Sequence, residues 1–453
     1  MTRSVEDTVL IRGARLVGEP GSWTQGRVCD VLVVGSKIGR IEGDIEGTFD
    51  FVINADGMIL MPGMVDTHLH LWESLFRGEM ADSWGNDYFG SIPPYISYMS
   101  PEDVYISVYA GAIELLQNGV TSVMDYAHCA RSPEHVDAVL AALDSAGIRA
   151  VLGYDLHKRE HTRYDPRLIS YSSRLSDLER LFSRVSSVPL ISAAVCLSEF
   201  VPGDPESMTR AATEIDIARR LNAQAFFHNN YHGEITELAL RNLLGPHLVA
   251  VHGNYDSDVE LKLVADSGTW ITTQPTTEMM SGRRSMTMIT RGVRLGVKFS
   301  LGMDVPAVGK LGILNEMRSF YLLGRLQDGI AERSEGRVPV RRSEGVPAVN
   351  PAMALQVGTS YGAETIGLGG SVGEIRVGGD ADLVLIDTRP FGEAPDTAAH
   401  IIMCAGYDDI DTVMVAGKVR KHERKLVGVD LQDLAARRSS ALKHVREQRE
   451  TSG

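Results

Sequence analysis

Cysteine is scarce in this chain of 453 residues, which contains only four. They are Cys29, Cys129, Cys196 and Cys404, and they lie too far apart to form a Cys-x-x-Cys motif. Cysteine zinc sites and dithiol redox motifs need such close spacings. We therefore expect reduced thiols and no cysteine metal site, a pattern typical of a cytoplasmic protein.

Positive charge and long apolar runs are lacking as well. The formal net charge is −14 and the pI is near 5.4, whereas nucleic acids and anionic membranes attract clusters of Lys and Arg. No apolar run approaches the roughly 20 residues of a membrane-spanning helix, and residues 1–7 precede no apolar core of a signal peptide. These absences argue against nucleic-acid and membrane partners and leave a small molecule as the expected partner.

Residues 60–305 alternate short apolar runs with helix-like segments, which is typical of strand–helix units around a parallel sheet. Ser132 begins one helical stretch that stops at Gly147, and Asp256 begins another that stops at Gly268. The eight strand-like runs are residues 64–69, 120–126, 148–156, 190–197, 224–229, 247–253, 269–275 and 297–304. Eight parallel strands favour a closed (β/α)₈ barrel over an open sheet.

Short β-type runs with glycine-rich turns lie on both sides of this region, in residues 8–57 and again after residue 370. One small β-sandwich domain built from both termini is the most economical arrangement. The polar stretch 333–347 predicts an exposed loop. The predicted organisation of this α/β protein is therefore a first sandwich part at 1–58, the barrel at 59–365, a second sandwich part at 366–430 and a C-terminal helix or tail at 431–453.

Histidines and one carboxylate recur where the predicted barrel strands end. His68 and His70 end the first strand, His228 the fifth, His252 the sixth and Asp304 the eighth. A single histidine at a strand end is more often a hydrogen-bonded core or rim residue. The C-terminal strand ends of a barrel, however, meet at one mouth, where enzymes of this fold carry their active sites. The five residues together predict a one-metal site with a position left open for water.

This ordered set resembles the amidohydrolase superfamily. The resemblance is carried by the segment Pro62-Gly63-Met64-Val65-Asp66-Thr67-His68-Leu69-His70 and by Arg77-Gly78, His228, Val251-His252 and Gly302-Met303-Asp304. Two further segments are similar to the branch of the atrazine and triazine chlorohydrolases and the cytosine-type deaminases, namely Leu75-Phe76-Arg77-Gly78 and Gly378-Gly379-Asp380-Ala381-Asp382-Leu383-Val384. The likeness extends over nearly the full chain.

The resemblance implies that His68, His70, His228 and Asp304 bind one divalent metal, with zinc expected and iron or manganese as alternatives. It also implies that Asp304 accepts a proton from the attacking water and that His252 polarises the reacting group. Binuclear branches of the superfamily bridge two metals with a carboxylated lysine at the end of strand 4. The chain has no lysine between residues 158 and 262, so we expect one metal.

Two positions depart from the pattern of this branch. Relatives carry a glutamate three residues after the strand-5 histidine, where it protonates a ring nitrogen or the leaving group, and this chain has Tyr231 there. On strand 7, where relatives often have a histidine near a proline, it has Gln274. Protonation then falls to Asp304, His232, Glu234 or Tyr231, or the reaction needs no such acid.

Other residues after strand ends are candidates for contact with substrate. Trp84 lies in the loop after strand 1, Asp125 and His128 follow strand 2, and His157 follows strand 3. Each has a plainer alternative, with Trp84 as a packing anchor, Asp125 as the cap of a turn, and the two histidines on a solvated rim.

The predicted function is that of a metal-dependent hydrolase that cleaves a carbon–nitrogen bond of a cyclic or heteroaromatic small molecule, by deamination or amide hydrolysis. Because Tyr231 replaces the usual glutamate, dechlorination, ring opening or decarboxylation on the same scaffold is the alternative. A metal-binding relative without turnover is a third hypothesis, which the complete ligand set disfavours. The resemblance also implies a homo-oligomer, a dimer or larger.

Overall fold

The structure is a computed structural model, and it describes residues 7–156, 170–282, 288–340, 348–392 and 395–452. The strands in these residues are β1 Thr8–Leu16, β2 Val28–Val34, β3 Lys37–Glu42, β4 Phe51–Asn54, β5 Met58–Pro62, β6 Met64–Leu69, β7 Val120–Tyr126, β8 Arg149–Asp155, β9 Ile191–Cys196, β10 Ala225–Asn229, β11 Leu248–His252, β12 Trp270–Thr273, β13 Phe299–Leu301, β14 Leu383–Asp387, β15 Ile410–Val415, β16 Lys418–His422 and β17 Lys425–Leu426.

The α-helices of the described residues are α1 Tyr88–Ser91, α2 Pro101–Gln117, α3 Pro133–Ala146, α4 Tyr171–Val185, α5 Pro205–Arg220, α6 Glu234–Leu240, α7 Asp258–Ser267, α8 Pro275–Met280, α9 Met288–Leu295, α10 Ile313–Ser334, α11 Pro351–Val357, α12 Ser360–Thr365, α13 Thr397–Met403 and α14 Leu431–Ser452. Short 3₁₀ turns lie at Leu71–Phe76, Gly85–Asp87, Pro93–Tyr98, Pro306–Val308, Arg389–Phe391 and Tyr407–Asp409.

Strands β6 to β13 form an eight-stranded sheet in which neighbours in sequence are neighbours in space and every pairing is parallel. A parallel bridge between Leu69 and Asp304 joins the two ends of the sheet. The predicted (β/α)₈ barrel is therefore confirmed. Each predicted strand-like run contains one observed strand, and the first two have the predicted bounds.

The barrel strands bury side chains on both faces, which explains why the sequence shows continuous apolar runs rather than alternation. Successive residues of one strand enter different clusters. Val151 packs in the cluster that fills the barrel, whereas Leu152 packs in the larger cluster that the helices cover. Phe226 and Phe227 of β10 divide in the same way.

The strands from the two termini form a second, nine-stranded sheet. Its middle is the antiparallel pairing of β5 with β14, which joins an N-terminal strand to a C-terminal one. Strand β1 pairs with β4 along its first half and with β5 at its end, and buried side chains from seven of these strands form one hydrophobic cluster. This is the small β-domain predicted from both termini; its boundaries at 58, 365 and 430 stay predictions.

The closing motif with Asp380 and Asp382 connects this sheet to the barrel. Both oxygens of Asp382 accept hydrogen bonds from the Arg149 guanidinium of β8, at 2.9 and 3.0 Å, and the same carboxylate accepts from the Ala416 amide. The resemblance in this motif therefore reflects a structural contact between the two sheets rather than a group at the barrel mouth.

Helix boundaries follow the capping residues of the sequence. Helix α3 begins after Ser132 with a proline at its first position, and it ends at Gly147, whose φ of 65° favours glycine. Helix α7 begins two residues later than Asp256 predicted, because Ser257 and Glu260 form a capping box. The predicted loop 333–347 began too early, because Arg333 and Ser334 belong to the last turn of helix α10. Residues 335–340 form no helix or strand, and 341–347 lie outside the described residues.

The C-terminal helix α14 contacts α2 and the two 3₁₀ turns at Leu71–Phe76 and Pro93–Tyr98. Arg438 donates a hydrogen bond to the Ser74 carbonyl, and the Arg446 guanidinium lies 3.3 Å from a Glu79 oxygen. The Arg449 guanidinium lies 4.4 Å from the centre of the Tyr95 ring. The last helix therefore supports the segment that follows β6.

Two expectations from composition concern the whole chain. All four cysteines are free of disulfide bonds, and three of them are buried. Among the described residues, no helix combines the length and apolarity that crossing a membrane would require.

Candidate metal centre and active-site pocket

The closure of the barrel brings the predicted site residues together. The Asp304 amide donates to the His68 carbonyl at 2.9 Å, and the His70 amide donates to the Asp304 carbonyl at 3.0 Å. These two hydrogen bonds join the end of β6 to the residues after β13. His228 and His252 lie at the ends of β10 and β11, so all five residues reach the same mouth of the barrel.

Four of these residues form a candidate metal centre. One ligand atom from each of His68, His70, His228 and Asp304 lies within 4.8 Å of the other three. The Asp304 Oδ1 atom is 3.2 Å from His68 Nε2 and 3.4 Å from His70 Nε2. The Nδ1 atom of His70 is 3.0 Å from the Tyr126 carbonyl, which accepts its hydrogen and leaves Nε2 for a metal.

Burial and charge set the protonation of this cluster. Burial lowers the pKa of His68 to about 4 and that of His228 well below its ordinary value. Burial would raise the pKa of Asp304, but hydrogen bonds from His68 and His70 hold it well below the usual range. Burial would also lower the pKa of His70, yet Asp304 and Glu73 raise it to about 9. Metal ligands bind in their deprotonated forms, so metal binding displaces that proton.

Two residues of the site have backbone conformations that side chains rarely adopt. His252 has a φ of 80° and Asp304 a φ of 68°, and such strain outside glycine is typical of functional sites. Gly302 is required for a different reason, because a β-carbon there would come within 2.5 Å of the His68 carbonyl oxygen.

His252 lies next to the candidate metal centre and contacts Glu278, a residue that the sequence analysis missed. Its Nδ1 atom is 3.3 Å from Glu278 Oε1, and its Nε2 atom is 3.9 Å from Asp304 Oδ2. Glu278 lies on the short helix α8, four residues after Gln274. The only signal in the sequence is a glutamate one turn after the strand-7 proline.

The centre opens into a pocket of about 1080 Å³, which includes space open to solvent at its mouth. Of the predicted residues, those that line it are His70, His228, His252, Asp304, Trp84 and His128. Lining residues that the sequence analysis did not select include Tyr88, Phe89, Asp155, Glu199 and Asn230. They come from loops after several strands, for which the sequence has no positional rule. Trp84 and Phe89 are well exposed and give the pocket an aromatic wall.

A polar cluster includes the lining residues His128 and Tyr88. The His128 and His70 Nδ1 atoms are 2.8 Å apart, and Trp72 Nε1 donates to His128 Nε2 at 3.2 Å. Tyr88 donates its hydroxyl hydrogen to the buried Glu73 at 2.6 Å. Burial raises the pKa of Glu73 to about 8. These contacts fix the part of the pocket lining next to the candidate ligand His70.

Two other predicted residues are buried below the pocket. Asp125 accepts a hydrogen bond from the Leu71 amide at 3.0 Å, and burial raises its pKa to about 7. The Gln274 side chain donates to the Thr272 hydroxyl at 3.1 Å. Neither is among the described residues that line the pocket, and their contact with substrate stays a prediction.

The loop after β10 holds the residues considered as substitutes for the usual glutamate. Glu234 is buried, and its carboxylate accepts the Tyr231 amide hydrogen at 2.7 Å at the start of α6. Tyr231 is 46% exposed, and the ring of His232 packs against that of Tyr255. None of the three is among the described residues that line the pocket. His157 lies outside the described residues.

Comparison with known proteins agrees with this geometry. A model of the amidohydrolase family matches residues 59–420. A 5'-deoxyadenosine deaminase from Methanobrevibacter smithii is 30% identical, and the alignment covers 98% of this chain and 99% of that protein.

Solved structures show the same fold. An adenosine deaminase from Xanthomonas campestris with bound zinc superposes with a TM-score of 0.79 at 21% identity, covering 97% of this chain and 98% of that one. An atrazine chlorohydrolase from Arthrobacter aurescens complexed with zinc gives 0.78 at 19% identity, covering 96% and 100%.

A parallel barrel whose strand ends gather three histidines and an aspartate defines a class of hydrolytic enzymes that use a metal. This chain belongs to the amidohydrolase family. It is a hydrolase that acts on carbon–nitrogen bonds other than peptide bonds, as the resemblance implied.

Proposed function

We propose that this enzyme removes the amino group from an aminated purine-type ring, with one zinc ion held by His68, His70, His228 and Asp304. The observation that carries the proposal is the approach of these four ligand atoms to within 4.8 Å at the floor of a pocket with an aromatic wall. The similarity to a 5'-deoxyadenosine deaminase over nearly the whole chain supports the choice of ring.

The residues of the centre fit zinc by their chemistry. Three imidazoles and one carboxylate are common zinc ligands, and a set of this kind with an open position is typical of catalytic sites. A divalent ion bound there would supply a water that is a good nucleophile near neutral pH. The Tyr126 carbonyl orients His70 toward the ion through its Nδ1 hydrogen.

The side chains of the protein would handle the protons of the reaction. Water adds to the ring carbon that carries the amino group, the carbon–nitrogen bond breaks, and ammonia leaves. Asp304 accepts a proton from the attacking water. His252 Nε2 lines the same pocket 3.9 Å from Asp304 Oδ2, so a proton would pass between them through one water before it reaches the leaving amine. Trp84 and Phe89 offer faces on which an aromatic ring stacks.

Hydrolytic dechlorination is the second candidate, and one observation favours it. Glu234, the carboxylate nearest in sequence to the usual acid, hydrogen-bonds the Tyr231 amide. Chloride leaves without being protonated, whereas an amine leaving group needs a proton, so a chlorinated ring would react without that acid. The fold shared with an atrazine chlorohydrolase is compatible with this reaction.

Measurement of both products separates the two candidates. Zinc-loaded protein is incubated with 5'-deoxyadenosine, adenosine and a chlorinated triazine, and ammonia and chloride are measured. Ammonia release that stops on chelation and returns with zinc is the expected result. Chloride release alone would favour the second candidate, and turnover that persists in metal-free protein would refute both.

Two further expectations belong with this proposal. The enzyme is expected to form a dimer or larger homo-oligomer and to act in the cytoplasm, and both stay predictions.

A further inference from the structure

We propose that Glu278 is a positioning residue that holds His252 with its hydrogen on Nδ1 and with Nε2 turned toward Asp304 and the pocket. Tyr231 stands where relatives carry the glutamate that donates a proton, and the pair of His252 and Glu278 would take over this proton transfer. The inference rests on the proposed function for its reaction but not for its geometry.

The surroundings of Glu278 are those of a fixed carboxylate. It is fully buried, and four donors point at its two oxygens. His252 Nδ1 at 3.3 Å and the Gln274 backbone N–H at 3.1 Å approach Oε1. Asn254 Nδ2 at 3.1 Å and the Thr273 hydroxyl at 2.8 Å approach Oε2. Since an ionised carboxylate only accepts hydrogen bonds, this arrangement suits its charged form.

Electrostatics agree with this geometry. Burial alone would raise the pKa of Glu278, but the hydrogen bond and charge of His252 and the other donors hold it below its ordinary value. A charged carboxylate accepts hydrogen bonds and donates none, so the carboxylate facing Nδ1 selects the tautomer of His252 with its hydrogen on Nδ1.

The other face of His252 is the one that meets the reaction. Its Nε2 atom lies 3.9 Å from Asp304 Oδ2, and the residue lines the pocket with 2% of its surface exposed. A carboxylate behind a histidine in this way orients the ring and fixes its tautomer, as in hydrolases with a Ser-His-Asp triad. In the loop after the neighbouring strand β10, Glu234 accepts a hydrogen bond from the Tyr231 backbone amide.

The first test is Glu278→Gln, which keeps size and removes the negative charge. We expect kcat to fall about 100-fold with KM changed by less than about threefold, since the loss concerns proton transfer rather than binding. Glu316→Gln is the matched control, because Glu316 is also buried and bonds the Thr276 amide of the same helix at 2.9 Å. The control should keep kcat within about twofold.

A double-mutant cycle tests whether Glu278 acts through His252. In a His252→Ala background, Glu278→Gln should cause no further fall in kcat, because the group it positions is gone. Equal falls in the two backgrounds would mean that Glu278 acts elsewhere, and they would overturn the proposal.

A spectroscopic measurement keeps this inference separate from the proposed function. A downfield imidazole N–H proton resonance should be present in wild type and in Glu316→Gln. It should disappear or move upfield in Glu278→Gln and disappear in His252→Ala. This result in a protein that deaminates nothing would reject the proposed substrate and keep the positioning role, whereas a resonance unchanged in Glu278→Gln would overturn that role.

Discussion

Two groups of carboxylates at the barrel mouth make different contacts. At the ends of β6, β11 and β13, Asp304 and Glu278 face histidines at 3.2 to 3.9 Å. In the loop after β10, Glu234 faces the Tyr231 amide, and burial raises its pKa to about 8. Barrel closure therefore explains how the candidate metal ligands come together, whereas the proposed proton donor depends on which strand-end histidine has a carboxylate beside it.

The largest effect should come from the side of β6 and β13. Asp304→Ala removes a proposed metal ligand that is also the proposed acceptor of the water proton, so we expect loss of bound metal and a fall in kcat of about 1000-fold or more. Metal content by mass spectrometry and turnover measure the two effects.

Asp387→Ala is the control for that variant. Asp387 is a buried carboxylate of the terminal sheet that pairs with Arg389 at 2.8 Å, so its loss should leave the metal content unchanged. An Asp304→Ala protein with one bound metal and ordinary turnover would contradict the proposed role of Asp304.

The second effect concerns two exposed aromatic residues. Trp84 lines the pocket and Tyr231 is not among the described residues that do so, although they are 69% and 46% exposed. Trp84→Ala should raise KM about 5- to 10-fold through loss of ring stacking. Tyr231→Ala should change it less than about twofold. Steady-state kinetics on the same substrate decide, and equal increases would place substrate on both sides of the mouth.

The smallest effect should come from Glu234→Gln. Burial raises the pKa of Glu234 to about 8 and keeps it largely protonated at neutral pH. Exchange of this hydrogen-bond acceptor at the first turn of α6 for an amide should therefore cost about 0.5–1 kcal/mol of unfolding free energy through a weaker hydrogen bond. Turnover should change less than about threefold. Urea denaturation and kcat are the measurements. A fall in kcat of about 100-fold with unchanged stability would indicate that Glu234, rather than His252, donates the proton.

The barrel and its strand-end residues could be predicted because both depend on local patterns. An apolar run bounded by turn residues defines a strand such as β6, and the parallel order of a barrel then places the ends of β6 and β10 at one mouth. No comparable rule predicts Glu278. Its role depends on the direction in which a six-residue helix leaves β12, which is set by packing.

The pocket wall was missed for a related reason. Tyr88 and Phe89 lie in the segment between β6 and α2, where 3₁₀ turns alternate with a single four-residue helix. Such segments have no hydrophobic period, so the sequence could not indicate which aromatic rings face the cavity. The sequence likewise indicated that Glu234 lies near the strand-5 histidine, but it could not indicate where the Glu234 carboxylate points.

The C-terminal helix α14 holds the segment that follows β6 partly through charged side chains. Its apolar residues Leu434, Ala441 and Val445 are buried in the large hydrophobic cluster. Arginines add contacts to the segment between β6 and α2, including the pair of Arg446 with Glu79 and the Arg449 guanidinium over the Tyr95 ring. Dissolved ions weaken such surface attractions, whereas the buried ligands are screened much less. High ionic strength should therefore weaken these arginine contacts more than the contacts among the buried residues of the candidate metal centre. The helix also lies beyond the matched residues 59–420, so the segment after β6 is supported by a part of this chain that the family model does not include.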